Sequence, residues 1–324
     1  MTYARRNRFW LAAALAACTG AATAQTFPQK TVRIVVPFSP GSTADVLSRS
    51  IGQKLTEAWQ QQIVVESRTG AGGGIAAEHV ARSAPDGYTL LMGGASTLGT
   101  NALIYKKLPY DPVRDFAPVI QVVRSPSAVL VHPTLPVKSV KDLIALAKAR
   151  PGALSYSSSG NGTPGHLAVE LMKQTTGTDM VHIPYRGANE AIGDLFSGQV
   201  QFTINSLFSS MPHIQSGRVR AIATTGVQRS PELASVPTVA ESGLPGYQMY
   251  TWFGLVVPAG TPQDVITKLN REVGRVIELP DVRQRFMAQG AEVTGGTQEQ
   301  FGSFIKSELE RWRKVVAKLD LKAE

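Results

Sequence analysis

The chain has 324 residues, 43% hydrophobic and 18% charged. That is enough to bury a large core and to divide into two domains, and it excludes disordered, collagen-like and coiled-coil chains. The formal charge is +9, but Arg5, Arg6 and Arg8 lie in a segment with the marks of a removable leader, and without them it is +6.

That leader is basic up to Arg8, apolar over 9–17, and small-residued through Ala22-Thr23-Ala24. This pattern predicts a secretory signal over 1–24, cleaved after Ala24. Its apolar run is shorter than the ~20 residues a membrane span needs. Leu15-Ala16-Ala17-Cys18 offers an alternative, a lipoprotein anchored at Cys18. Cys18 is the only cysteine, so the mature chain is expected to lack thiol chemistry, disulfides and cysteine metal sites. Export predicts a periplasmic protein with no nucleic-acid partner, its positive charge directed at small anions or the membrane surface.

From residue 31 the chain alternates β-branched runs with helical periods. A strand is expected at 31–36, then a helix with Leu47, Ile51, Leu55 and Trp59 on one face, and a strand at 63–65. The glycines of 70–74 form a loop, 75–81 a short helix, and 88–92 a strand after the Pro85-Asp86-Gly87 turn. Two separate extended runs follow at 119–123 and 128–131. A helix at 140–148 is entered by Ser139-x-x-Asp142. Strands at 154–157, 180–183, 200–204 and 219–223 alternate with helices, and 252–257 is a further strand. Thr261-Pro262-Gln263-Asp264 opens a helix with Thr261 as N-cap and Pro262 at its first position. Phe301, Ile305, Trp312, Val316 and Leu319 share a face of the last helix, which docks the C-terminus on a lobe. This βαβ rhythm predicts an α/β chain of two hinged lobes.

Chemistry is expected where strands feed helices. Free N–H groups and the dipole at a helix start attract an anion. The segment 37–45 is one such junction, with Phe38, Ser39, Ser42 and Thr43 as candidate ligand contacts and no Walker lysine. Asp45 either reaches the ligand or completes an S-x-x-D capping box with Ser42. The second junction, 157–166, supplies Ser158, Ser159, Gly160, Asn161 and His166. It matches G-x-G-x-x-G through Gly160, Gly162 and Gly165, but no ribose-binding acid follows, so an anion cradle is preferred to a nucleotide site. Ser96 and Thr97 end another strand on the same edge. The five histidines show no H-x-x-x-H pair and no G-x-S-x-G elbow is present, so neither a metal, a cofactor nor an enzyme activity is expected. An exported hydrolase using Ser158 and His166 is the alternative.

Val35-Val36-Pro37-Phe38 with Gly41 and Asp45, Gly70-Ala71-Gly72-Gly73, Pro85-Asp86-Gly87-Tyr88-Thr89-Leu90, Ser158-Ser159-Gly160-Asn161-Gly162 with His166, His182-Ile183-Pro184-Tyr185-Arg186-Gly187, Val236-Pro237-Thr238-Val239-Ala240-Glu241 and Trp252-Phe253-Gly254 stand in order along the chain. In this it resembles the TctC-like, or Bug, solute-binding proteins of tripartite tricarboxylate transporters. The resemblance implies a Venus-flytrap periplasmic binding protein, type II-like, each lobe a mixed, mostly parallel sheet flanked by helices. One lobe would comprise 25–123 with 253–324 and the other 124–252, with the ligand cleft between them. It further implies a monomer that closes on a small organic carboxylate held by the loops 38–45 and 158–166. Tyr185, Arg186, Asn205 and Ser206 extend the implied ligand set. The partners would be the transporter's membrane subunits, or alternatively a sensor kinase. Where the family often has an acid, this chain has Asn205, which favours a carboxylate without an amino group. Phe38, Phe208, Tyr250 and Trp252 are candidate walls for an aromatic acid.

Overall fold

A computed structural model describes residues 27–319; the expected leader and Cys18 lie outside them. In the first half, β1 (Val32–Val36) is followed by α1 (Thr43–Trp59), on which Leu47, Ile51 and Leu55 form the expected buried stripe. Next come β2 (Ile63–Ser67), α2 (Gly74–Ala81), β3 (Thr89–Gly94) and α3 (Asn101–Ile104). The glycine loop before α2 contains a tight helical turn in which Gly70, Gly72 and Gly73 all take positive φ, so these glycines serve the backbone. Then β4 (Phe116–Val131) leads into α4 (Val140–Ala149), β5 (Ser155–Ser158), α5 (Pro164–Thr176), β6 (Val181–Pro184), α6 (Ala188–Phe196), β7 (Phe202–Ser206), α7 (Leu207–Gln215) and β8 (Arg220–Thr224). The chain finishes through β9 (Tyr250–Pro258), α8 (Gln263–Ile277), α9 (Pro280–Met287), β10 (Glu292–Gly295) and α10 (Gln298–Leu319).

The strands form one hydrogen-bonded path, β2-β1-β3-β9-β4-β7-β5-β6, with β10 and β8 also on β4. Parallel pairs lie in the outer parts, β1 with β2 and β3, and β5 with β6 and β7. Every antiparallel pair contains β4 or β9.

The two runs expected at 119–123 and 128–131 are in fact one strand of 16 residues. Residues 116–126 of β4 pair with β9, and 127–131 pair with β7 and β8. Ser125-Pro126-Ser127 does not break it because the strand changes partners there. The Ser127 N–H donates to Thr225 Oγ1 at 2.8 Å and Ser125 Oγ to the Gly290 carbonyl at 2.9 Å, side-chain bonds that join the ladder at the switch.

Leu47, Leu90, Met92, Val122, Leu255, Leu269 and Phe286 belong to one core, in the half built on β1 and β3. Val129, Tyr156, Leu167, Met172, Phe202 and Ile204 belong to another, in the half built on β5 and β7. The last helix reaches both halves. Phe301 and Ile305 pack with Val35, Leu91 and Trp252, while Trp312 and Val316 pack in the second core. Its 22 residues span about 33 Å. At α8 the expected cap is corrected: Pro262, with ψ 138°, takes the cap position, and Thr261 Oγ1 donates back to the Pro258 carbonyl at 2.8 Å.

Candidate ligand-binding cavity

The loops that leave the carboxyl ends of β1, β3, β5, β6 and β7 converge between the two halves. Open α/β sheets bind ligands at this edge, because helix N-termini point there. The cavity they enclose is lined by Phe38, Ser42, Thr43, Ala95, Ser96, Ser159, Thr163, Pro164, Gly165, Ala188, Asn205, Ser206, Ser209, Thr251 and Phe253. It leaves about 50 Å³ for the centres of water-sized molecules.

Four helices present their N-termini to it. Ser42 and Thr43 begin α1, Thr163 and Pro164 begin α5, Ala188 begins α6, and Ser206 precedes α7. No lining side chain carries a charge. The positive ends of four dipoles and their unpaired N–H groups therefore dominate the electrostatics.

Asn205 and Ser206 sharpen this character. The Ser206 N–H donates to Asn205 Oδ1 at 2.9 Å, which fixes the amide so that Nδ2 is its free edge. Asn205 Nδ2 and Ser206 Oγ are buried and have no hydrogen-bond partner among the described residues. Buried donors of this kind are costly unless a ligand or water meets them. Phe38 and Phe253 supply the apolar walls.

Of the residues expected at the site, Phe38, Ser42, Thr43, Ser96, Ser159, Asn205 and Ser206 come together in this lining. The others lie outside it. Asp45 takes the capping role: its Oδ2 accepts from the Gly41 N–H at 2.9 Å, its N–H meets Ser42 Oγ at 3.4 Å, and Arg49 pairs with its carboxylate at 3.0 Å. Thr97 Oγ1 accepts from the Gly94 N–H at 3.0 Å. Ser39 is outside the lining, its Oγ buried against Gly187. Arg186 is exposed, and Tyr185 donates to Asp194. Burial, then that carboxylate, raises the Tyr185 phenol to about 12.

The loop 158–166 curls inward through Gly160 (φ 122°) and Gly162 (φ 75°), leaving Asn161 exposed outside the lining. Ser158 is turned to His182, with Oγ and Nε2 at 2.7 Å, and not to His166. Only 2% of Ser158 is exposed, so the nucleophile of a Ser158/His166 pair is neither activated by that histidine nor presented. His166 Nδ1 instead accepts from the Gly162 N–H at 3.1 Å, and its ring stacks on His182 with centroids 4.0 Å apart and planes at 8°. Burial lowers His166 to about 4. Burial, followed by the neighbouring His166, lowers His182 to about 3.

Phe208 and Trp252 are core residues, 1% exposed each, with Trp252 Nε1 bonded to Glu308 at 3.1 Å. Tyr250 lies in a groove on the opposite side of β9 from the cavity, where its hydroxyl accepts from the Val227 N–H at 3.1 Å. The aromatic wall missed by sequence reasoning is Phe253. Period-two alternation along β9 carries the signal, since Thr251 and Phe253 share the face opposite Trp252. Thr163, Gly165 and Ser209 were also missed, although the first two stand within the second junction. Among the described residues, no group of three His, Cys, Asp or Glu is placed to hold a metal ion, and no helix is long and apolar enough to cross a membrane.

A family model described as the tripartite tricarboxylate transporter family receptor, TctC, matches residues 47–321. Protein BugT of Bordetella pertussis (strain Tohama I) is 36% identical over 295 residues, covering 91% of this chain and 90% of its own length. The solved structure of R. palustris Rpa4515 with adipate has a TM-score of 0.89 at 38% identity, covering 91% of this chain and 99% of that one. MatC (Rpa3494) from Rhodopseudomonas palustris with bound malate has a TM-score of 0.86 at 32% identity, over 90% and 100%. The two-lobed α/β architecture expected from the sequence is shared with these structures.

Proposed function

The chain belongs to the tripartite tricarboxylate transporter receptor family, the TctC or Bug solute-binding receptors, and from that premise we propose that it captures a small organic carboxylate without an amino group in the periplasm. It closes two lobes, 25–123 with 253–324 and 124–252, around a mono-, di- or aromatic carboxylate and delivers it to the membrane subunits of a transporter of this kind. One observation carries the reading: a closed-in cavity lined by hydroxyls and an amide donor, with four helix N-termini and no charged side chain. Such a site satisfies a carboxylate by oriented dipoles, whereas an ammonium would be desolvated among positive helix ends with no counter-charge. The adipate and malate bound by two relatives in the family support the same class.

Calorimetric titration with paired acids tests it: hydroxy, keto, di- and aromatic acids against the matching α-amino acids. Non-amino acids are expected to bind more tightly and to be recovered unchanged. An α-amino acid as the tightest ligand, or a chemically altered ligand, would overturn the proposal.

A further inference from the structure

The residues that line the cavity and the residues that seal one of its rims are different. Ser39, Pro40 and Gly41, after β1, face Gly187 and Asn189 at the start of α6 in the other half. Asn189 Nδ2 donates to the Pro40 carbonyl at 2.9 Å, across 149 residues of sequence. A Cβ at Gly41 would come within 2.6 Å of that same Nδ2, and one at Gly187 within 2.1 Å of Ser39 Oγ. Gly187 has φ −173°, extended backbone open to any residue, so the missing side chain there serves the approach of the two loops. Ser39, Gly187 and Asn189 are all absent from the cavity lining.

We propose that this seam is a latch. Asn189 is a positioning residue that sets how far the lobes remain closed, and hence how tightly any ligand is held, while the lining sets which ligand is chosen. A group that acts only on closure changes the competent fraction, and so multiplies the Kd of every ligand by one factor. The biological sense of the latch rests on the receptor reading above, but closure can be measured without any ligand.

Cys18 is the only cysteine, so in a Cys18→Ser background Glu57→Cys and Lys148→Cys, exposed positions on α1 and α4, can carry nitroxide labels on opposite halves. Pulsed electron–electron distance measurement then reads the closed and open populations. Asn189→Ala is expected to lower the closed-to-open ratio roughly two- to five-fold, as for one partly exposed hydrogen bond. Gly187→Ala inserts a methyl against Ser39 Oγ and is expected to lower it further, and Ser39→Ala in that background to restore it. For each acid that binds, Asn189→Ala raises Kd by one common factor, mainly through faster release, with the ranking preserved. Unchanged distance distributions in both Asn189→Ala and Gly187→Ala, or a changed ranking, overturn the latch. Shifted distributions with no acid bound by the wild type uphold the latch and defeat the carboxylate reading.

Discussion

At the scale of single residues, the lock on Asn205 has the clearest consequence. With Oδ1 held by the Ser206 N–H and Nδ2 unpartnered, Asn205→Asp exchanges a buried donor for a negative acceptor. Carboxylate binding is expected to weaken by about 1.5–3 kcal/mol, roughly 10- to 150-fold in Kd, with the relative standing of amino acids improved. An unchanged ranking in competition titrations would remove Asn205 from the contact set. The stacked pair of His166 and His182 makes a pH prediction. Folded His166 resists protonation down to about 4, whereas the unfolded residue titrates near ~6.5. Between these values the unfolded chain binds the extra proton, so stability rises with pH, is fully present above about 6.5, and is lost as pH falls towards 4. About 3 kcal/mol is expected from His166 alone, read as the slope of denaturant midpoints against pH, with a shallower slope in His166→Gln. A flat wild-type profile would refute it. Sequence reasoning placed His166 in the ligand set because it could see a histidine at a helix start but not the two positive-φ glycines that turn the loop inward. Aromatic type alone nominates Trp252 as a wall, whereas strand alternation turns Trp252 to the core and Phe253 to the cavity.

The elements themselves were largely legible, because hydrophobic period is a local signal. The stripe of α1 and the strands β1 to β3 follow from it directly. Length and partner exchange are not local, so β4 appeared as two runs split by Ser125-Pro126-Ser127, and its service to both halves could not be seen. The contact of β9 with α10 was equally hidden. At Gly254 a Cβ would meet Phe301 Cζ at 2.3 Å and the Ile120 carbonyl at 2.7 Å, so helix and strand pack closely only because the strand lacks a side chain there. Gly254→Ala is expected to cost about 1–3 kcal/mol through overpacking. Denaturant unfolding measures this, and Phe301→Leu in the same chain should recover part of it. A neutral Gly254→Ala would show that both the helix and the neighbouring strand yield freely.

For the whole molecule, β4 runs through both halves and α10 packs against both, through Phe301 and Ile305 on one and Trp312 and Val316 on the other, so neither half can unfold while its neighbour keeps all its contacts. A single cooperative thermal transition is expected, with matching calorimetric and van't Hoff enthalpies. Trp312 is 1% exposed in the second core, and Trp312→Ala should lower that one transition by about 3–5 kcal/mol without splitting it. Two resolved transitions in the wild type would contradict the coupling.

The charge-free wall has one further consequence, for protons. The lining is made of Ser, Thr, Asn, Phe, Ala, Gly and Pro, none of which titrates between pH 5 and 8, and the two histidines behind it stay neutral there. Capture of an ionised acid should therefore take no proton from the solvent and give none back. Its heat should be equal in phosphate and Tris, buffers with very different ionisation heats, and a buffer-dependent heat would mean that a hidden group titrates on binding. On the proposed carboxylate reading, the acid would leave the receptor with its negative charge intact, and any proton it later carries must join it after release.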